Sequence, residues 1–268
     1  MKYHIEKNTV QETLVIPLFG RLVCSEHYPE LFSDPEAKRI CDSLDYDFAE
    51  KRKKMESAAG LFGALEVAQR QYDLRCEVES YLKDHPKAAV ANLGCGFDDK
   101  FSQVDNGKLQ WFDVDLADQI AVRRKVYQDR DRCVMLEGDA LNGEWTKKIP
   151  KSDMYIIVME GVLEYFSKEQ VRTCLNMLCD SFPHGFLLAE LHCPFMEKNS
   201  KHHDAVKYTK ASFGWGTKSG KEYLELEPRM TLVSERSYNE EMKKYSIRGK
   251  LFAIIGKNIN NRLAVYKW

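Results

Sequence analysis

The spacing of apolar positions changes character near residue 86. Before it the chain reads as helix. Asp34-Pro35-Glu36 is a helix start, with a cap, a proline in the first turn and an acid near the positive end of the dipole. Between Ala64 and Leu82, apolar residues recur at helical spacing: Leu65, Ala68, Tyr72, Cys76 and the stretch Val78 to Leu82. His85-Pro86 closes that segment.

After it come short apolar runs at strand length. Lys87–Leu93 ends in Gly94-Cys95-Gly96, and Leu109–Asp115 follows. Cys133–Glu137 ends in Gly138-Asp139, Met154–Met159 in Glu160-Gly161, and Gly185–Leu191 is the fifth run. Helical stretches separate several of them, including Asp118–Tyr127 and Lys168–Phe182. Strands alternating with helices predict an α/β fold, a doubly wound and mostly parallel sheet. Met230–Ser234 and Arg262–Trp268 would complete its edge as the sixth and seventh strands. The expected organisation is one domain over 1–268: a helical extension (1–85), a core (86–191), an insertion or lid (192–229) and final strands (230–268).

Composition narrows the partners. The 40 basic and 41 acidic residues give a net charge of -1, without the basic excess expected of a nucleic-acid binder. The apolar run Leu14–Phe19 is short and broken by Pro17, so neither a signal peptide nor a membrane span is expected. Eight cysteines lie scattered with no Cys-x-x-Cys spacing, which fits free thiols and a cytoplasmic protein. No metal site is expected; His202-His203 reads as a solvated pair.

In open α/β sheets the ligand sits at the carboxyl ends of the strands. Gly94-x-Gly96 permits a tight turn and close approach to a ligand, and by itself is equally a plain strand-to-helix turn. The dinucleotide fingerprint needs a third glycine where this chain has Asp99, after Asp98. Two carboxylates there would repel a pyrophosphate and suit a cationic ligand such as S-adenosylmethionine, with its sulfonium and ammonium groups. Asp113 and Asp115 stand 19 and 21 residues after Gly94, where an acid accepts the ribose hydroxyls of an adenosine ligand; Asp115 is favoured, and a helix cap is the alternative. Asp139 could accept the adenine amino group or simply make a turn. Glu160 closes an apolar strand, a costly place for a carboxylate without a partner.

These residues carry a resemblance. Glu12–Arg21, Asn92–Asp98, Val104–Gly107, Trp111–Leu116 with Arg123-Arg124-Lys125, Glu160–Tyr165 and Phe213-Gly214-Trp215-Gly216 resemble the leucine carboxyl methyltransferase family, in its tetracenomycin polyketide synthesis O-methyltransferase-like branch. The resemblance spans nearly the whole chain. It implies a class I, Rossmann-like fold with S-adenosylmethionine as methyl donor. It further implies Arg75 against the donor's carboxylate, Gly94, Cys95 and Gly96 along its methionyl part, and Asp115 with Leu116 at the ribose. Asp139 with Ala140 would meet the adenine and Glu160 the amino group. The chain departs from the family at Asp98-Asp99-Lys100, commonly Asp-Thr-Arg, and at Ala117, often proline.

The acceptor is expected to be a small molecule, aromatic or polyketide-like, methylated on a carboxylate or a hydroxyl oxygen. A protein C-terminal carboxylate and a non-catalytic S-adenosylmethionine sensor are the rival readings. A carboxylate needs no general base; Arg21, Tyr165 and the Lys and Tyr residues of the insertion are candidates to hold it. A hydroxyl is better served by one, and His192 is the candidate, a packed histidine being the plainer account. Phe213 and Trp215 either stack on the acceptor or pack the insertion onto the core.

Overall fold

The computed structural model describes residues 2–5, 10–30, 32–198, 213–238, 242, 250 and 261–268. In chain order its elements are β1 (Tyr3–His4), α1 (Val10–His27), α2 (Pro35–Ser43), β2 (Leu44–Asp45), α3 (Ala49–Met55), α4 (Ala58–Asp84), β3 (Ala89–Leu93), α5 (Lys100–Val104), β4 (Gln110–Asp115), α6 (Ala117–Arg123), β5 (Cys133–Glu137), β6 (Tyr155–Met159), α7 (Lys168–Ser181), β7 (Phe186–Leu191), α8 (Pro194–Lys198), α9 (Lys221–Leu224), β8 (Thr231–Ser237) and β9 (Arg262–Lys267). Among the described residues no helix is long and apolar enough to cross a membrane.

Local chemistry accounts for these elements. Every residue of β3, β6 and β7 is buried, as strands covered on both faces require. Edge strand β5 instead buries Cys133 and Met135 and leaves Val134 exposed. The Asp34 side chain accepts from Ala37 N at 3.0 Å, and Pro35 opens α2. Ser167 and Gln170 form a capping box on α7, whose Val171, Cys174, Leu175 and Leu178 make one apolar stripe.

The seven-stranded sheet has the order β5-β4-β3-β6-β7-β9-β8. Strands β3 to β7 pair parallel; β9 enters antiparallel between β7 and β8. The chain's last two strands are therefore not laid down in succession at the edge. Leu263, Ala264, Val265 and Tyr266 of β9 are all buried and claim the inner place, whereas β8 carries the charged pair Glu235 and Arg236 and takes the rim. A second, two-strand pairing of β1 with β2 was not foreseen, because two residues are too few to show a period. Helices α1, α2, α4 and α5 build the core on one face, and α7, α9 and Trp145 the core on the other.

Register fixes the row of strand ends. Leu93 faces both Val114 and Met159, Asp115 faces Glu137, and Met159 faces Ala189. Gly94, Asp115, Gly138, Glu160 and Glu190 accordingly lie along one rim. Strand order reverses between β3 and β6, the switch point at which such sheets bind ligands.

Asp113 does not join that rim. It is 2% exposed, and its carboxylate accepts from Trp111 Nε1 (2.8 Å), Asn92 Nδ2 (3.2 Å) and Arg123 Nη2 (2.6 Å). Arg123 Nη1 also donates to Gly96 O at 2.7 Å. Asp113 is thus an internal brace between β4, β3 and α6, and its expected place on the cofactor is corrected: no acceptor site of this carboxylate reaches the rim. Replacing Arg123 with Ala strands a buried carboxylate and should cost about 3–5 kcal/mol. Trp111→Phe removes one hydrogen bond and should cost about 1 kcal/mol. Urea unfolding of the two variants checks the order.

Candidate functional site

The loop after β3 is shaped for close approach. Gly94 and Gly96 have φ of +67° and +49°. A Cβ on Gly94 would lie 2.3 Å from Val162 Cγ2, so a side chain is excluded there on both counts. The loop is gripped from behind. Arg21 Nη2 donates to Phe97 O at 2.7 Å and its Nε to Asp34 Oδ2 at 2.9 Å. Tyr127 Oη reaches the same Phe97 carbonyl at 3.2 Å. Arg21 is 3% exposed and already committed. Its expected role on an acceptor is replaced by one in holding the glycine loop. Cys95 is buried, and burial pushes its thiol well above the usual range, so it contributes backbone rather than sulfur chemistry.

Asp115 sits on the rim, half-buried. Gly96 N donates to its Oδ2 at 2.9 Å and Leu116 N to its Oδ1 at 2.8 Å. These two bonds orient the carboxylate and leave each oxygen one acceptor direction. Burial raises its pKa, against the pull of those two N–H groups. Leu116 beside it is 46% exposed, an apolar surface at the mouth of the rim. Asp139 and Ala140 stand one strand further out; Asp139 is exposed and accepts from Leu141 N at 2.8 Å, a local turn.

Glu160 has its partners. Gln71 Nε2 donates to both of its oxygens (2.6 and 2.8 Å), Arg70 Nε lies 2.7 Å from Oε1, and Lys100 Nζ lies 3.3 Å from Oε2. Burial alone would raise this carboxyl, but Arg70, Lys100 and Arg21 outweigh it and hold it at about 2. Lys100 is itself 1% exposed, bonded to Gln71 Oε1 (2.5 Å) and paired with Asp98 Oδ2 (3.1 Å). Arg70 continues to Glu190, 3.2 Å away, and Glu190 also accepts from Gly161 N at 2.9 Å.

Arg75 is not at this site. It lies five residues along α4, about 7.5 Å down the axis, paired with Glu79 at 3.8 Å and stacked on Tyr72. Arg70 stands where Arg75 was expected. Arg70, Gln71, Lys100 and Glu190 were all missed by sequence reasoning. The signal available was the unbroken polar run Gln69-Arg70-Gln71 directly after the apolar positions Val67 and Ala68, and a lysine directly after two aspartates.

The segment 213–217 closes the far side. Gly214 N donates to Glu164 O (2.7 Å), Trp215 N to Phe166 O (2.8 Å) and Thr217 N to His192 O (2.9 Å). A Cβ on Gly214 would lie 2.2 Å from Phe166 O, so glycine there permits backbone-to-backbone contact. Trp215 stacks on Tyr223 (5.5 Å) with Lys168 over it, and so packs the segment onto the core. Phe213 faces inward: its ring is 5.7 Å from Tyr165 and 5.6 Å from His192. His192 is 3% exposed, hydrogen-bonded to the backbone of Gly214, and burial pushes it down to about 4, so the ring is neutral. His202 and His203 lie outside the described residues.

One buried polar atom in the cluster, Asp98 Oδ1, has no hydrogen-bond partner, while Arg70 is engaged by Glu160 and Glu190. A ligand's cationic group, such as an ammonium, fits that carboxylate oxygen. Asp98 could thus receive the ammonium of S-adenosylmethionine, and Asp115 could receive its ribose.

No protein-family model matches the chain. It is 26% identical over 208 residues to the tetracenomycin polyketide synthesis O-methyltransferase TcmP of Streptomyces glaucescens, covering 77% of this chain and 75% of the relative. The crystal structure of a candidate methyltransferase of Thermobifida fusca YX matches with a TM-score of 0.59 at 12% identity, over 99% of this chain and 94% of that one. The chain has the class I methyltransferase fold and is a relative of the family that its motifs resemble.

The acids here titrate in opposite senses. Burial, then Glu190, raises Glu164 from 4.5 to about 8, and burial raises Glu66 to about 7. A carboxyl with a raised folded pKa contributes stability at low pH that is lost as pH climbs through the folded value. The wild type should lose stability between about pH 4.5 and 8, and Glu164→Gln should flatten that fall. Denaturant midpoints at pH 5 and pH 9 decide it.

Proposed function

We propose that this chain, a relative of the tetracenomycin polyketide synthesis O-methyltransferase, is an S-adenosylmethionine-dependent O-methyltransferase acting on a small molecule. The observation that carries the reading is the rim itself: an exposed glycine turn at Gly94, an oriented acid at Asp115 and the unmatched Asp98 Oδ1 beside the Glu160–Arg70 pair. Phosphate chemistry is poorly served by Asp98 and Asp99 at the same turn.

In this reading Gly94, Cys95 and Gly96 pass along the methionyl part of the cofactor, and Arg70 with Glu160 and Asp98 holds its two charged groups. Asp115 accepts from the ribose hydroxyls, Leu116 covers the base, and Asp139 with Ala140 meets its amino group. The bound cofactor supplies a methyl group already activated on a sulfonium. The protein has left to do what it does through shape: set the acceptor oxygen in line with that carbon and keep water out. Tyr165 and Phe213 form the wall on the acceptor side, and the 213–217 segment lies over it.

Calorimetric titration tests this. S-adenosylmethionine and S-adenosylhomocysteine should both bind in the micromolar range. Asp115→Ala should weaken both by at least about tenfold, through loss of charge-assisted bonds. Gly94→Ala should abolish binding, because its Cβ has no room against Val162. Tight NAD or ATP binding with no affinity for either sulfur compound would sink the proposal.

A further inference from the structure

Lys100 opens α5 with a side chain that is 0% exposed. Its Nζ lies 2.5 Å from Gln71 Oε1, 3.1 Å from Asp98 Oδ2 and 3.3 Å from Glu160 Oε2. An ammonium has three donors, and these contacts use them all. Gln71 closes the figure by donating to both oxygens of Glu160. The lysine is therefore a bridge across the switch point, from the loop after β3 to the end of β6. With its donors spent, it has nothing to offer a ligand directly.

The bridge leaves one atom over. Asp98 Oδ2 meets Lys100 and, at 3.5 Å, Asn92 Nδ2, while Oδ1 is buried and has no partner. Asp98 is 7% exposed, and a carboxylate oxygen left unmatched at that depth is costly. The groups in electrostatic reach of this carboxylate are Lys100, Glu160, Arg21, Arg123, Tyr127 and Cys95. The two arginines are held elsewhere: Arg21 by Asp34 and Phe97 O, Arg123 by Asp113 and Gly96 O. Burial raises the Asp98 carboxyl, and Lys100 is the strongest influence pulling it back down.

The neighbouring acid does not share this position. Asp99 Oδ1 pairs with Arg130 at 2.6 Å, and its Oδ2 accepts from Ser102 Oγ at 2.7 Å. Of the two adjacent aspartates, only Asp98 is joined to Glu160 through the lysine.

We propose that Lys100 is a positioning residue for the methyl donor: it fixes Asp98 so that Oδ1 takes the donor's ammonium, and through this the site selects its ligands by their amino group. This rests on the methyltransferase reading above. Lys100 acts without touching the ligand, by holding two carboxylates together and keeping one of them charged. A lysine with only a packing role would matter equally to every adenosine ligand. A lysine that sets Asp98 matters to those that carry an ammonium.

Three ligands titrated calorimetrically into the full chain separate these cases. They are S-adenosylhomocysteine, its analogue that keeps the carboxylate and lacks the amino group, and methylthioadenosine, which lacks both. The wild type should bind S-adenosylhomocysteine about tenfold or more tightly than the deaminated analogue, the effect of one charge-assisted hydrogen bond. Asp98→Asn and Lys100→Met should each erase that gap, weakening S-adenosylhomocysteine by about tenfold and leaving the other two ligands bound as in the wild type. Lys100→Met also strands two carboxylates. If that variant is too unstable to hold methylthioadenosine, Lys100→Gln, uncharged yet still able to bond Gln71, is read in its place. A wild type indifferent to the amino group, or parallel losses for all three ligands in the lysine variants, would overturn the proposal. Failure of the wild type to bind S-adenosylhomocysteine and methylthioadenosine at all would instead remove the methyltransferase reading on which it stands.

Discussion

A carboxylate at the end of a wholly apolar strand is the constraint from which the site follows. Glu160 closes β6, whose five residues are all buried, and a charge in that place is tolerable only with close, hydrogen-bonded countercharges. The sheet cannot provide them. They come from α4, which lies across the strand ends and offers Arg70 and Gln71, and from α5, which turns Lys100 inward. The N-terminal helices are thereby tied to the sheet by charge as well as by the apolar contacts of α1, α2 and α4. Removing any one partner would leave an unmatched charge rather than an empty space, so the cluster stands or falls together.

The same arrangement separates two chemical environments along one rim. Around β3 and β4, backbone N–H groups and a single acid dominate, with Leu116 exposed beside them. Around β6 and β7 the balance is acidic, and the wall is finished by Tyr165, Phe213 and His192. The topological switch between β3 and β6 lies between the two.

Much of this was legible in the amino-acid pattern. The five parallel strands announced themselves as apolar runs, the first four ending in glycine or acid, and the inner ones, buried on both faces, leave no polar alternation to confuse the reading. Glu160 and Asp115 stood out for the same reason. What escaped notice depended on helix rotation. On α4, Arg70 and Arg75 are equally plausible on paper, and only the packing of Tyr81 on Phe186 sets which of them turns towards β6 and β7. Arg21 and Asp113 looked functional because charged residues in apolar surroundings invite that reading; here each satisfies the other end of an internal bond. The order of β8 and β9 rests on a competition for burial between two strands of similar length, which neither sequence settles alone.

The grip of Arg21, Arg123 and Tyr127 on the carbonyls of Gly96 and Phe97 has a kinetic side. A glycine turn left to itself samples many conformations and must be ordered when a ligand arrives, at an entropic cost borne by affinity. Here the ordering is completed during folding, by cations anchored in the core. Encounter with a ligand at this turn then resembles a key entering a cut lock, and its rate is governed by access past Leu14 and Leu116 at the mouth rather than by rearrangement of the backbone beneath.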